Sequence, residues 1–421
     1  MRAVHPDESV PGEQAVSLKA APAAGRRLSV LDWIAIVLFA LGAVFVGTGL
    51  LPYSAADATV RRILPLLLFL GTVVVLAELT ASAGVFDVIA VRVAGAARGS
   101  YLALFLLCVL FATINTTVLN LDTTAVLLTP VMLALALRAG IAAVPLAMTT
   151  VWLANTASLL LPVSNLTNLL AANRVGGPGG LPPVEFASRM WAVQLSSVAV
   201  TMVFLWVFYW RRGVRGMDRY DPPPAQKPDD RVLFWVAALA CLTFITLILA
   251  TRILLGYASA IAAVAVVVAF ALRSRSALRF RLIPWRLLVF VVGLFLVVQT
   301  VSLHGLHTVT YALIGGSGDD LGVLRAAATG AGLSNAVNNL PAYVAGEAVI
   351  PFHNHDQLLA LLIGTNVGPI ITPWASLATL LWFERCRAYD AVVPLRKFML
   401  TGACLAVCGL ATTVGVLLLT G

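Results

Sequence analysis

Long apolar runs alternate with short polar stretches along most of the chain, and the runs form two similar series. Most runs have the length that a helix needs to cross a bilayer, about 20 residues. Each series has three spans, a shorter piece with a polar start, a span broken by proline, and a closing span. The first series covers 30–51, 63–82, 101–117, 118–138, a run from 144 that breaks at 161–165, and 190–210, and the second covers 232–250, 253–272, 287–303, 323–350, 358–382 and 396–420.

The two series also align residue by residue at a constant offset of 211, without a gap. Two related halves that each contain a polar break in an apolar run are typical of secondary transporters. We therefore predict an all-α membrane protein: an inverted-repeat secondary transporter with about 10 transmembrane helices, two re-entrant hairpins and two broken helices. The aligned pairs are Leu121–Val126 with Gly332–Val337, Pro130 with Pro341, Asn155 with Asn366, and Pro162 with Pro373.

The polar pieces predict the hairpins. Eight Thr, Asn and Asp side chains crowd residues 113–124, and an unsatisfied polar group in hydrocarbon costs roughly several kcal/mol. Irregular backbone at that depth is tolerated where it is buried in protein or lines a wet cavity. We expect 112–138 and 323–351 to be re-entrant hairpins whose tips meet near the midplane, with ordinary surface loops as the alternative.

Composition excludes other classes of protein. Of 421 residues, 60% are hydrophobic and 11% are charged, which is too apolar for a soluble domain. The net charge of +9 comes from residues between spans, so it indicates cytoplasmic loops rather than nucleic-acid binding. The five cysteines show no metal-ligand spacing, and no glycine-rich phosphate loop is present. The sequence predicts no enzyme, cofactor or metal site.

Basic residues also predict the orientation. We divide the chain into a flexible tail (1–28), a first repeat (29–210), a basic cytoplasmic loop (211–231) and a second repeat (232–421). With that loop inside, Arg61, Arg62 and Arg138 are also cytoplasmic, in accord with the positive-inside rule. Five spans in each half then place both termini outside, whereas an additional helix near 84–97 would move the N-terminus inside.

Asp122 is the leading candidate for the coupling chemistry. A carboxylate at membrane depth is costly and marks a functional site by default. Asp122 would take up and release a proton as the site opens to either side, and Glu78 is a second candidate proton carrier. The structural alternative is that Asp122 caps a helix, since Asp is favoured before a helical start.

Amides and hydroxyls near the breaks and tips supply the candidate binding site. Pro162 and Pro373 disrupt their helices and free backbone groups, although neighbouring Ser and Thr could also satisfy a simple kink. The lining suits a small polyhydroxylated or oxyanionic solute, because it lacks an Arg/Lys clamp or a ring of carboxylates. The predicted solute-binding residues are Asp122, Thr123, Thr124, Asn155, Ser158, Ser164, Asn165, Asn168, Ser334, Asn335, Asn338, Asn339, Asn366, Thr372, Ser376 and Thr379.

Several motifs in these regions resemble the arsenical pump membrane protein family (ArsB-type) of the ion transporter superfamily. The similarity runs from about residue 60 to the end. The motifs are Asp122–Pro130, Asn155–Ser158 with Val163–Asn168, Asn338–Pro341, and Gly368–Pro373 with Ser376–Trp382.

That resemblance implies proton-coupled efflux of arsenite and antimonite across the cytoplasmic membrane by alternating access, in some members with a soluble ATPase partner. Superfamily members carry a Ser-Asn-Thr motif at each hairpin tip, where this chain has Asp122-Thr123-Thr124 and Ser334-Asn335-Ala336. This departure argues against a sodium-coupled dicarboxylate carrier. A sodium/proton antiporter or organic-anion transporter of the superfamily remains the main alternative, and an uncoupled channel or receptor is the other.

Overall fold

The computed structural model describes residues 30–176, 180–211, 219–222, 224, 227–250 and 255–420. The predicted tail and part of the central loop lie outside these residues. Every regular element in the described ranges is helical, as predicted. The helices are α1 (Val30–Gly47), α2 (Tyr53–Ser82), α3 (Val85–Ala96), α4 (Tyr101–Leu119), α5 (Leu121–Thr123), α6 (Thr129–Arg138), α7 (Ala143–Thr156), α8 (Leu166–Val175), α9 (Pro183–Leu205), α10 (Arg231–Ala250), α11 (Leu255–Arg273), α12 (Trp285–Val301), α13 (His307–Ile314), α14 (Asp320–Ala336), α15 (Asn339–Glu347), α16 (His355–Val367), α17 (Leu377–Ala388) and α18 (Leu395–Thr420).

Seven helical segments in the described residues are long and apolar enough to cross a membrane. Their outer faces carry many exposed Leu, Val and Ile side chains, which suits contact with lipid rather than water. The segments are Tyr53–Ser82, Tyr101–Leu119, Leu121–Arg138, Pro183–Trp210, Gly256–Arg273, Trp285–Gly305 and Leu395–Thr420.

Each half contains a helical hairpin that turns at a single asparagine. The first hairpin joins α4 through Asn120 to α5, a π-helical turn and α6, and the second joins α14 through Asn338 to α15. Asn120 has φ +98° and Asn338 has φ +141°, a region that side chains other than glycine rarely occupy. Each asparagine side chain accepts a hydrogen bond from the next helix, at Thr123 N and Leu340 N respectively.

These tips correct the alignment of the hairpins. Asn120 and Asn338 adopt the same role but are 218 residues apart, so the gapless offset of 211 is wrong at the tips. Asp122 therefore corresponds to Leu340 rather than to Leu333. The physical reason is that the second hairpin has a shorter returning arm, which runs over Asn339–Glu347 against Leu121–Arg138 in the first.

The two broken helices keep the predicted offset of 211. The first break (157–165) separates α7 from α8, and the second break (368–376) separates α16 from α17. The helices before the breaks end at Thr156 and Val367, and the helices after them are capped by Asn165 and Ser376. Both pairs are 211 residues apart, so the prediction of two equivalent proline-associated breaks is confirmed.

Helices of the two halves pack against each other through small residues. α1 packs on α12, where a side chain on Gly293 would lie 2.4 Å from the backbone nitrogen of Phe39. α2 packs on α11, and α9 packs on α18. Close backbone approach at glycine is the usual basis of helix association in lipid. The α1–α12 and α2–α11 contacts are related by the repeat if α1 corresponds to α11 and α2 to α12. This correspondence leaves α10 outside the repeated unit, although the repeat boundaries at 210 and 232 stay a prediction.

Helix directions show that Val30 and Thr420 lie on opposite faces of the molecule. Arg273 at the end of α11 hydrogen-bonds Asp230 before α10 at 2.8 Å, which lowers the pKa of Asp230 and places both loops on one face. We name this the basic face. α1 runs parallel to α12 and so begins there, whereas α18 begins beside Tyr209, next to the central loop, and ends on the opposite face.

The expectation that both termini lie on one side is therefore wrong for the described helices. α4 is the first arm of the hairpin rather than a span that precedes it, and α3 turns back without crossing. The helix considered near 84–97 thus exists as α3, but α1 begins on the side of the central loop because α4 does not cross.

The basic face carries most described cations, but Arg61 and Arg62 are not among them. Both lie near the start of α2, and Arg62 pairs with Glu347 at the end of the second hairpin, on the opposite face. Described cations of the basic face are Arg92, Arg98, Arg138, Arg211, Arg219, Lys227, Arg231, Arg273, Arg275, Arg279, Arg286, Arg385, Arg387, Arg396 and Lys397.

Candidate solute site between the hairpin tips

The two hairpins approach from opposite faces and their tips meet at a small cavity, which we name the tip cavity. Its volume is about 30 Å³, which holds about two water molecules. Its polar walls come from both tips and from the start of α8, and α2, α12 and α17 supply apolar walls. The lining residues are Phe69, Leu70, Asn120, Leu121, Asp122, Asn165, Leu166, Leu287, Phe290, Val291, Asn338, Asn339, Leu340 and Leu377.

Asp122 lies one residue inside the helix that begins after the first tip. Asn120 caps this helix, because its side chain accepts a hydrogen bond from Thr123 N at 2.9 Å. The capping role considered for Asp122 therefore belongs to Asn120. Within the described residues, buried atom Oδ1 of Asp122 has no hydrogen-bond partner. A buried polar atom without a partner costs free energy and is free to bind a proton, a solute or water.

The threonines of the first tip are buried beside Asp122. Thr124 donates to the carbonyl of Asn120 at 2.8 Å and accepts from Asn115 of α4 at 3.0 Å, which fixes the two arms together. The hydroxyl of Thr123 is buried without a partner in the described part of the chain. Of the two, Thr123 thus has a hydroxyl free for a ligand, and Thr124 holds the tip.

Asn366 joins the two broken helices. Its Oδ1 accepts hydrogen bonds from Asn165 Nδ2 at 2.9 Å and from Thr167 Oγ1 at 2.8 Å. Its Nδ2 donates to Asn168 Oδ1 at 2.7 Å, and Asn168 in turn donates to the carbonyls of Ser158 and Leu161. This network ties the end of α16 to the first break and the start of α8.

Asn155 makes the equivalent contact from the other half. Its Nδ2 lies 3.4 Å from Thr379 Oγ1, and Thr379 also hydrogen-bonds Ser376 at 2.8 Å. Because Asn155 and Asn366, and likewise Asn168 and Thr379, are 211 residues apart, the two contacts are related by the internal repeat. The Asn155 contact is the weaker, and among the described residues its Oδ1 has no partner.

A glutamine that the sequence reasoning missed holds the first break. Gln194 of α9 accepts from Leu159 N at 2.9 Å and donates to the carbonyl of Ala157 at 2.8 Å. Ser164 donates to the carbonyl of Thr117, and Ser158 donates to that of Asn155. The available signal was an amide inside the apolar span 190–210. Asn120 was also missed, although it stands beside Asp122 in the polar cluster.

Asn335 likewise hydrogen-bonds backbone groups of the second break. Its Oδ1 accepts from Ile371 N at 3.2 Å and Thr372 N at 3.1 Å, and its Nδ2 donates to the carbonyl of Gly368. Thr372 returns a hydrogen bond to the carbonyl of Asn335, while Ser334 bonds within its own helix to Gly330. All three side chains lie outside the tip cavity, and that of Asn335 satisfies unwound backbone of the second break.

The predicted site thus separates into two layers. Asp122, Asn165, Asn338 and Asn339 line the tip cavity, whereas the remaining predicted residues except Thr123, whose hydroxyl has no partner in the described residues, form the hydrogen-bonded frame around it. Glu78 belongs to neither layer. It lies near the end of α2 at the basic face, where the positive charge of Arg385 attracts it. Whether any of these residues binds a solute stays a prediction.

The donors and acceptors of the cavity define its chemistry. Amides of Asn120, Asn165, Asn338 and Asn339 can both donate and accept, and Asp122 provides one acid. Among its described lining residues none is Arg or Lys, so no cation is placed to balance a multiply charged anion. The described residues contain no cluster of three His, Cys, Asp or Glu side chains that would hold a metal ion.

Residues 28–379 match the model of the citrate transporter family, CitMHS. The arsenical pump membrane protein of Escherichia coli is 29% identical over 362 residues, with 78% of this chain and 80% of the relative covered. The protein of the same name from Yersinia enterocolitica is 29% identical over 355 residues, with the same shares covered.

The crystal structure of the YdaH transporter from Alcanivorax borkumensis, described as having an unusual topology, shares the fold. Its TM-score is 0.55 at 14% identity, with 92% of this chain and 96% of that chain covered. These similarities confirm the predicted resemblance and the prediction of a multi-pass membrane transporter rather than an enzyme. The chain belongs to the citrate transporter family.

Proposed function

We propose that this protein exports arsenite or antimonite from the cytoplasm in exchange for protons, by alternating access across the cytoplasmic membrane. The observation that carries the proposal is the unpartnered Asp122 carboxyl in a cavity otherwise lined by neutral amides and apolar side chains. An uncharged trihydroxide suits such amides, which donate to and accept from hydroxyl groups. Relatives named as arsenical pumps support the choice of solute.

The proposed cycle depends on separation of the tips. A cavity for about two water molecules is too small for a central atom with three hydroxyls, so the solute enters only when one hairpin moves. The basic face is cytoplasmic under the positive-inside rule. Asp122 would bind the solute or a proton in turn, since one carboxyl cannot serve both at once. A soluble ATPase partner, where one is used, would meet the basic face.

A growth assay tests the choice of solute. The chain is expressed in a strain that lacks its own arsenite pump, and growth and intracellular arsenic are measured in arsenite and then in antimonite. We expect wild-type protein to lower intracellular arsenic and Asp122→Asn to abolish this effect. Asp57→Asn is the matched control, because Asp57 is exposed and pairs with Arg61 on the protein surface. Accumulation equal to the empty-vector control would overturn the proposal.

An organic-anion transporter is the second candidate, favoured by the family description. Against it, the tip cavity offers no basic side chain to a carboxylated solute. Uptake of labelled citrate into the same cells, with and without a sodium gradient, separates the two. Citrate uptake above the vector control would support this candidate and count against arsenite export.

A further inference from the structure

One face of α15 forms a buried polar stripe that leaves the tip cavity. Asn339, Tyr343 and Glu347 are spaced four residues apart, so they lie one above another with a rise of about 6 Å per step. Asn339 lines the cavity, and Glu347 ends the helix on the face opposite the basic loops. All three side chains are buried. The stripe therefore runs from the cavity toward that face.

Two atoms of the stripe have no hydrogen-bond partner in the described residues. They are the hydroxyl of Tyr343 and Oε2 of Glu347. A buried tyrosine hydroxyl that serves only packing stabilises the fold more when it has a hydrogen-bond partner, and the same holds for a buried carboxylate oxygen. Packing and a structural ion pair therefore explain these residues incompletely.

Glu347 also links the second hairpin to α2 and α8 through arginine side chains. It pairs with Arg62 of α2, whose side chain is 54% exposed, whereas the side chain of Glu347 is 4% exposed. Arg174 of α8 is the other cation that acts on Glu347, and both arginines act on Tyr343. Across the described parts of the other helices packed on α15, no further charged group acts on this carboxyl.

The internal repeat gives this cluster a counterpart on the basic face. Arg174 and Arg385 are 211 residues apart, and they follow the first and second breaks. The positive charge of Arg385 attracts Glu78, as that of Arg174 attracts Glu347. Each face thus has a largely buried carboxyl beside a repeat-related arginine, and the tip cavity with Asp122 lies between them.

We propose that Glu347 exchanges protons with the solution on the face opposite the basic face, and that Tyr343 relays them to the tip cavity. The inference rests on the proposed proton coupling. A proton binds Glu347 and releases Arg62 toward water. Glu347 then gives this proton to the oxygen of the Tyr343 hydroxyl, and the original proton of that hydroxyl passes through cavity water to the Asp122 carboxylate. Only O–H bonds form and break, and the reverse order returns the proton.

Reconstituted protein in liposomes tests this path. An enclosed pH-sensitive dye reports proton movement driven by an arsenite gradient, and labelled arsenite at equal concentration on both sides reports exchange. We expect Glu347→Gln to slow proton movement at least about tenfold while exchange continues, because exchange needs no net proton transfer. Tyr343→Phe should slow it by less, and Glu347→Asp should retain movement with a shifted pH profile.

Glu185→Gln is the matched control, since Glu185 is an exposed carboxyl paired with Arg189. Normal proton movement in Glu347→Gln would overturn the inference and leave the proposed function intact. Arsenite movement without protons in the wild type would overturn both. If Glu347→Gln does not fold, Tyr343→Phe decides, because proton movement at the wild-type rate in that variant contradicts the relay.

Discussion

Asn366 should matter far more to stability than its repeat equivalent Asn155. Asn366 is 1% exposed and makes three short hydrogen bonds, to Asn165, Thr167 and Asn168. In Asn366→Ala, three buried polar groups of the first half lose this partner at once. Each buried group left without a partner costs about 1–3 kcal/mol, so we expect a loss of about 3 kcal/mol or more in free energy of unfolding.

Asn155→Ala is the internal control for this prediction. The link from Asn155 to Thr379 is 3.4 Å long, and the same amide nitrogen already bonds the Val151 carbonyl of its own helix at 2.9 Å. Removing it breaks one weak contact between the halves, and we expect a loss of about 1 kcal/mol. The two substitutions remove the same atoms, so their difference of about 2 kcal/mol isolates the network.

Unfolding in mixed detergent and SDS micelles, followed by tryptophan fluorescence, measures both losses. Trp152, Trp210 and Trp382 are fully buried and report on the packed state. Asn366→Asp should fall between the two alanine variants, because it retains the oxygen that accepts from Asn165 and Thr167. Equal losses in Asn155→Ala and Asn366→Ala would refute the account of an uneven contact between the halves.

Five further substitutions at four positions test the backbone arguments. Asn120→Ala should destabilise by about 1–3 kcal/mol because of its positive φ and lost cap, and Asn120→Gly should recover about 1 kcal/mol, measured by the same unfolding assay. Gly364→Ala should destabilise strongly, since its Cβ would lie 2.2 Å from a backbone oxygen of α14, whereas Gly332→Ala should be neutral because its Cβ meets nothing within 4 Å. Gln194→Leu should cost about 1–3 kcal/mol, because the buried Leu159 N loses its partner and the Ala157 carbonyl keeps only the 3.4 Å hydrogen bond from Thr117, and a loss below 1 kcal/mol would contradict that role.

The sequence predicted the helical membrane fold and the two breaks because both depend on local signals. Apolar runs specify spans by length, and Pro162 and Pro373 each remove a backbone donor at a break. The offset of 211 is therefore reliable at the breaks. It failed at the tips because Asn120 and Asn338 are identified by backbone conformation, which a gapless alignment does not detect.

Topology could not be read from span counts alone. α4 is long and apolar enough to be taken for a span, yet it ends at Asn120 inside the protein and forms one arm of a hairpin. The short α3 has a length that suits neither a span nor a loop. Placement of Arg62 required its contact with Glu347, which is 285 residues away in the chain.

The candidate site was predictable in composition but not in arrangement. Polar residues near the tips and breaks were identified, and the structure divides them into cavity lining and frame. The division depends on contacts between distant segments, such as Asn335 with the second break and Gln194 with the first. Helical periodicity within one segment carries no information on such partners.

Proton-driven transport by Asp122→Asn tests the central claim most directly. Everted membrane vesicles are given an inwardly acidic pH gradient, and uptake of arsenite is measured with and without collapse of that gradient. We predict that the wild-type protein takes up arsenite only with the gradient, and that folded Asp122→Asn shows uptake independent of it. Uptake by Asp122→Asn that follows the pH gradient as in the wild type would contradict the assignment of Asp122 as the coupling carboxyl.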